Sequence, residues 1–339
     1  VSVGEVQEFS KLGAMTSDEQ HQRARLNATM SNIRIDAATG EVVAALRLRG
    51  IESVVLKGPA LSAWYSSDSV RTYVDGDVWV APGEVHAAEA VLRTLGFAPT
   101  QDESGLPGWW EEHGSSWFRA TDGGKIDLHR RLQGTALDPA KTWELLWGRS
   151  VEILVGGVPA RRLDDAALAL YLTVHATHHG VQDSRGLPHL RAALSAVDDS
   201  VWLGALELAE CLEALDGFST GLRLIPEGAS LAARLNIPDV RSVKAALHAA
   251  SPPPVALGFE QLASGSGLAR IEILFRKLVP PPGFVRHWWP PAAANRRMLL
   301  VGYLYRPIWL LQHAPAGYRA WRAAQHQVES QTRSESSSR

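Results

Sequence analysis

The sequence predicts an α/β protein of the α+β kind, with a small mixed sheet and flanking helices followed by a mostly helical C-terminal part. Three observations carry this. Short β-branched runs alternate with helical spacing through the first half of the chain. A Thr-Asp-Gly-Gly sequence at 121–124 joins two strand-like runs, as a tight hairpin does. From about Asp164 onward apolar residues recur at helical spacing and strand signals cease.

Residues 18–49 read as helical, with a break or kink expected at Gly40 and a stop at Gly50. The run 51–58 is a strand entering a turn at Gly58, and 59–67 resumes helical spacing with Pro59 in a tolerated first turn. Residues 72–82 form a second strand, ended by Pro82. Its alternation puts Asp75, Asp77 and Trp79 on one face and Val74, Val78 and Val80 on the other. An amphipathic helix over 83–97 closes at Gly96. Residues 99–116 read as loop with Trp109 and Trp110, and the hairpin follows. Its second strand carries Asp127, His129 and Arg131 on one face. Later helices are separated by polyproline-like stretches at 251–254 and 279–283, and the polar tail after about Ala324 reads as disordered.

Composition narrows the function classes. Of 339 residues, 45% are hydrophobic and 21% charged, and the net charge is −2. That balance lacks the basic excess of a protein built to grip a phosphate backbone. The single cysteine, Cys211, cannot form an internal disulfide and reads as a small core residue. A cytoplasmic address is expected: the N-terminal stretch has no basic region and no apolar core of a signal peptide. The most membrane-like run, 298–311, has 14 residues and is broken by Arg306 and Pro307, where a span needs about 20. It reads as an amphipathic helix packed on the body, with docking on a membrane or partner left open.

The central pattern is Asp-x-Asp on a strand, preceded by strand, glycine turn and helix, and followed by a hairpin strand with one more aspartate. Two aspartates two apart on a strand share a face, and Asp127 on another strand can complete the cluster. Three crowded carboxylates repel unless cations are present, so the cluster suggests metal. Mg²⁺ takes hard oxygen ligands, and two such ions can clamp the attacking and leaving oxygens of phosphoryl or nucleotidyl transfer. Against this, Asp-Gly is a turn signal in its own right.

The segment 56–80, LKGPALSAWYSSDSVRTYVDGDVWV, resembles the signature of the uncharacterised nucleotidyltransferase family of the polymerase-β-like nucleotidyltransferase superfamily. The downstream KIDLHRRL looks like that family's hydrophobic-Asp-Leu-His strand. The resemblance implies a nucleotidyltransferase-type sheet and transfer of an NMP group from an NTP, such as ATP, to an acceptor, with release of pyrophosphate. It implies Asp75, Asp77 and Asp127 as ligands of two Mg²⁺ ions. It puts Lys57 and Gly58 at the turn that holds the triphosphate. The sequence departs from the pattern at Gly76, which weakens a strand, at Trp79, and at Pro59, which lacks an N–H for phosphate.

Around this core, Arg71 either meets the triphosphate or pairs with Asp75. His129 either takes a proton from the acceptor or hydrogen-bonds a carboxylate. Trp79 stacks on a base or packs in the core. His175, His178 and His179, with Asp183 and His189 beyond, suggest either a metal or substrate contact or a helix end favoured by its dipole. The tryptophan pairs 109–110 and 288–289 are candidates for lining an acceptor cleft. The expected division is an N-terminal extension (1–24), a catalytic domain (25–160), a helical acceptor or lid domain (161–325) and a tail (326–339). Expected partners are an NTP, an unidentified acceptor (small molecule, peptide or protein before RNA) and, on a scaffold reading, a biosynthetic partner protein. Two other readings stay open: a degenerate nucleotide-binding scaffold, and a γ-phosphate phosphotransferase.

Overall fold

The computed structural model describes residues 17–65, 72–100, 113–182 and 186–337. Its strands, in chain order, are β1 (Ser53–Val55), β2 (Gly76–Val80), β3 (Ala98–Pro99), β4 (Gly114–Arg119), β5 (Gly124–His129), β6 (Ser150–Val155) and β7 (Val158–Leu163). They form one mixed sheet in the order β3-β4-β5-β2-β1-β7-β6. β2 runs antiparallel to β1, with Trp79 opposite Val54, and parallel to β5, with Asp77 opposite Asp127. The hairpin β4–β5 forms as its turn sequence predicts. The β6–β7 hairpin turns on Gly156 and Gly157, both at positive φ, the conformation that a two-residue hairpin turn needs.

One face of the sheet is covered by α1 (Ser17–Leu48) and α2 (Val85–Thr94). Ala38, Val42 and Leu46 of α1 and Ala88, Val91 and Leu92 of α2 meet Val78, Val80, Ile126 and Leu128, the apolar half of the period-two alternation in β2 and β5. α1 begins at Ser17, inside the segment expected as an N-terminal extension, and it runs through Gly40 without a break. Gly40 serves packing instead: a Cβ there would lie 2.5 Å from the Val155 carbonyl oxygen at the end of β6. Gly76 has the same explanation. A Cβ on Gly76 would lie 2.0 Å from Oγ1 of Thr39 on α1. The glycine between the two aspartates therefore lets α1 close over the strand.

The opposite face is covered by α4 (Asp165–His179), capped at its N-terminus by the Asp164 carboxylate accepting from the Ala167 N–H at 2.8 Å. Ala166 through Thr177 are all buried, which is why this helix shows no polar side. One core cluster joins Val54, Leu56 and Trp79 of the sheet to α4 and to α5 (Gly186–Ala196), α6 (Asp199–Cys211), α7 (Leu215–Leu222) and α8 (Pro226–Arg234). Burying each large aliphatic side chain of that cluster contributes about 1.5–3 kcal/mol. Residues on both sides of position 160 thus share one core. α3 (Pro139–Trp147) adds Trp143 beneath Trp79.

The chain finishes with α9 (Val243–Ala249), α10 (Ala256–Ser264), α11 (Gly267–Leu278), α12 (Pro282–Trp288) and α13 (Arg296–Ser337). The first proline-rich separator falls between α9 and α10; the second follows α11 and runs into α12, whose first turn holds Pro282. Further expectations change. The stretch after Gly58 is a 3-10 helix, Gly58–Trp64, not an α-helix. Cys211 is exposed, because α6 buries Trp202, Ala205, Leu208 and Ala209 and the cysteine lies off that side. The segment read as a disordered tail continues α13 to Ser337; after Gly317 it contains no proline or glycine to stop a helix. Arg71, Trp109, Trp110 and Asp183 lie outside the described residues.

Candidate active site

The site is built where β1, β2, β5 and α4 converge. Leu56, just past β1, donates its N–H to the Asp77 carbonyl at 3.0 Å, so backbone pairing brings the next residue, Lys57, to Asp77. Lys57 Nζ stands 2.8 Å from Asp77 Oδ1. His129 Nε2 meets the same oxygen at 2.9 Å from β5. Asp77 is 3% exposed. Burial alone would raise its carboxyl, but Lys57 and His129 outweigh burial and hold it well below the usual carboxylate range. Burial works on Lys57 in the opposite sense, and Asp77 again prevails: the ammonium is held charged, above the usual lysine range.

The other two carboxylates are less well compensated. Asp75 is pushed up by burial and by the charges of Asp77 and Asp127, and Lys125 Nζ offsets part of this from 3.4 Å. Asp127 stands opposite Asp77 on the neighbouring strand, and its Oδ1 is buried with no hydrogen-bond partner. A buried carboxylate oxygen left this way is costly unless something cationic or a donor comes to it.

α4 closes the site. His175 Nε2 lies 3.4 Å from Lys57 Nζ and 3.1 Å from His179 Nε2. Burial, Lys57 and His179 hold the His175 imidazole neutral, its pKa well below the ordinary histidine value. It therefore serves as an acceptor for the lysine ammonium. His113, just before β4, has its ring 5.4 Å from that of His129, and burial lowers its pKa to about 4.

Of the sequence-predicted residues, Lys57, Asp75, Asp77, Asp127 and His129 come together, and Gly58 adjoins them at positive φ (58°). His129 has its Nε2 engaged by Asp77 Oδ1. Trp79 is core: it is 0% exposed and meets Trp143 edge-on at 4.7 Å. His178 stacks on His248 of α9 at 4.2 Å. Trp288 and Trp289 pack on Tyr305 of α13. Sequence reasoning missed Lys125, although it precedes Asp127 by two residues and so shares its face. Nothing local signals His113.

The donors fit a hard divalent cation in kind: three carboxylates, one with a buried, unpartnered oxygen. As they stand, no group of three or more His, Cys, Asp or Glu among the described residues is arranged to hold a metal ion. Lys57 and His129 take up Asp77 Oδ1.

Residues 9–227 match the model of a family described as uncharacterised nucleotidyltransferase. The chain belongs to the uncharacterised nucleotidyltransferase family. Family membership makes this nucleotidyltransferase a transferase. Solved structures similar to it include the antibiotic-resistance factor ANT(2'')-Ia in solution, at 14% identity and TM-score 0.38, covering 53% of this chain and 94% of that one. A crystal structure of ANT(2'')-Ia with adenylyl-2''-tobramycin matches at 14% identity and TM-score 0.36, covering 50% and 94%. An antigenic nucleotidyltransferase-like protein from Paracoccidioides brasiliensis matches at 9% identity and TM-score 0.36, covering 62% and 96%. No curated protein matches the nucleotidyltransferase in sequence.

Proposed function

We propose that the protein transfers an NMP group from an NTP to an acceptor at the Asp75–Asp77–Asp127 cluster, releasing pyrophosphate. The observation that carries this reading is the buried, unpartnered Oδ1 of Asp127 beside two further carboxylates. Mg²⁺ held by Asp75, Asp77 and Asp127, in one or two ions, supplies charge neutralisation for the triphosphate when bound. The chain's own residues do the rest. Lys57 exchanges its carboxylate partner for a phosphate, a move that His175 permits because the neutral imidazole competes weakly for the ammonium. His129 keeps Asp77 oriented by donating from Nε2. The acceptor oxygen forms a bond to the α-phosphorus, the bond from that phosphorus to the pyrophosphate oxygen breaks, and the acceptor proton passes to the Asp127 carboxylate oxygen that does not face the metal. Burial around Asp77 limits water as a competing acceptor.

A second reading is a nucleotide-binding protein without turnover. The Lys57–Asp77 ion pair and the missing N–H of Pro59 favour it, since the first competes with a cation and the second removes a phosphate donor. Mass spectrometry of candidate acceptors after incubation with NTP and Mg²⁺ separates the two. Nucleotidyl transfer adds an NMP mass that vanishes in Asp77→Asn. Mg²⁺-dependent NTP binding with no added mass on any acceptor supports the second reading. A single phosphate added instead points to γ-phosphoryl transfer.

A further inference from the structure

The region from α11 into α13 lies beyond the residues that match the family, and it is built unlike the rest of the chain. No residue of α11 is buried. Its apolar side chains nonetheless form a regular stripe, Leu268, Ile271 and Phe275, at spacings of three and four, with Leu268 83% exposed. The first half of α13 repeats the pattern with Leu300, Leu304 and Leu311, the last two 72% and 74% exposed. The two helices meet where Arg306 Nε donates to the Lys277 carbonyl at 3.3 Å. Behind them, Tyr305 stacks on Trp288 and Trp309 meets Trp288 edge-on, and the Arg306 guanidinium lies 4.4 Å from the Trp288 ring. Solvent-facing apolar stripes at strict helical period are not the scattered single leucines of an ordinary surface.

Charge says what covers them. Residues 267–311 hold seven lysines and arginines and one carboxylate, Glu272, in a chain whose net charge is −2. Arg270, Arg286, Arg296 and Arg297 are exposed. A second copy of the same surface would bring like charges together, which disfavours self-association. Apolar stripes flanked by arginines and backed by half-buried tryptophan and tyrosine match the chemistry of an anionic bilayer surface, where cations meet headgroups and aromatic rings sit at their level. No helix among the described residues is long and apolar enough to cross a membrane, so any contact made by these helices lies in the interface plane.

We infer that α11 and the first half of α13 form a basic amphipathic surface that docks this protein on anionic lipid bilayers. The test is co-sedimentation of the full chain with vesicles of phosphatidylcholine alone and of phosphatidylcholine mixed with phosphatidylglycerol, at low and high salt. The protein is expected to pellet with the mixed vesicles and to be released by salt. Arg296→Glu and Arg297→Glu should each weaken partition by about fivefold or more. Ile271→Asp with Leu304→Asp should abolish it, with an unchanged thermal unfolding midpoint because both side chains are exposed. Failure to pellet with the mixed vesicles overturns the inference. So does pelleting that none of these substitutions alters. A native dimer in sedimentation velocity that the aspartate pair dissociates assigns the surface to a second copy instead and equally overturns it.

Discussion

Lys57 Nζ and Asp77 Oδ1 are 2.8 Å apart, an ion pair whose carboxylate end is fully sheltered and whose lysine end is about one-fifth exposed. Removing one member of such a pair strands the other, and the cost depends on which member can still reach water. Lys57→Met leaves Asp77 with His129 alone and is expected to cost about 3 kcal/mol in chemical denaturation. Asp77→Asn leaves a lysine that can turn outward and should cost less. The double variant should recover most of the loss; two strictly additive single effects would show that the pair is not coupled.

Gly76 is expected to resist substitution for a packing reason. With a Cβ only 2.0 Å from Thr39 Oγ1, Gly76→Ala should destabilise the fold by about 1–3 kcal/mol. Thr39→Ala removes that oxygen, so the same substitution in a Thr39→Ala background should cost clearly less. Equal cost in both backgrounds, read from urea midpoints, would rule out the α1 contact as the cause.

On the proposed reaction, His129 acts as a positioning residue through its bond to Asp77. His129→Leu should shift the Mg²⁺ concentration needed for half-maximal transfer upward by about 10–100-fold. His129→Gln keeps a donor near the same oxygen and should lose far less. A proton-transfer role predicts the opposite pattern: Gln as damaging as Leu, with the Mg²⁺ requirement unmoved.

Acid should destabilise the fold through His178 and His248, which stack at 4.2 Å. Burial first, then neighbouring positive groups, lowers their pKa values to about 3 and about 4, from an ordinary 6.5. Both are neutral when folded, whereas the unfolded chain takes up protons below pH 6.5. The stability from this pair is therefore complete above about pH 6.5 and drains away as pH falls toward about 4, by up to about 1.4 kcal/mol per pH unit for each group. Thermal midpoints measured over that range should fall with acid, and His178→Phe should flatten the slope. A variant with the native slope would remove the pair as its source.

Period-two alternation made the face shared by Asp77 and Trp79 legible, and it likewise placed Asp127 with His129, because strand geometry fixes facing without reference to the rest of the fold; the strand expected over 72–82 is shorter, Gly76–Val80, and Asp75 lies in the bend that precedes it. The pairing of Asp77 with Asp127 was not legible. It requires β2 and β5 to lie parallel and adjacent, and nothing in either strand encodes that neighbour. Gly40 and Gly76 are ambiguous in sequence for a related reason: a close approach between α1 and the sheet calls for glycine just as a kink or a weak strand does. His175 reaches Lys57 across 118 positions of sequence, so its helical spacing to His179 was visible while its partner was not. The β6–β7 hairpin carries a readable signal of its own, Gly156-Gly157 between alternating runs.

The nucleotidyl-transfer proposal is tested most directly by following two labels. The protein is incubated with Mg²⁺, a set of candidate acceptors, and an NTP labelled at either the α- or the γ-phosphate. Label from the α position is expected on the acceptor and label from the γ position in released pyrophosphate, with both lost in Asp77→Asn and Asp127→Asn. Label from the γ position on the acceptor, or transfer that survives both substitutions, contradicts it.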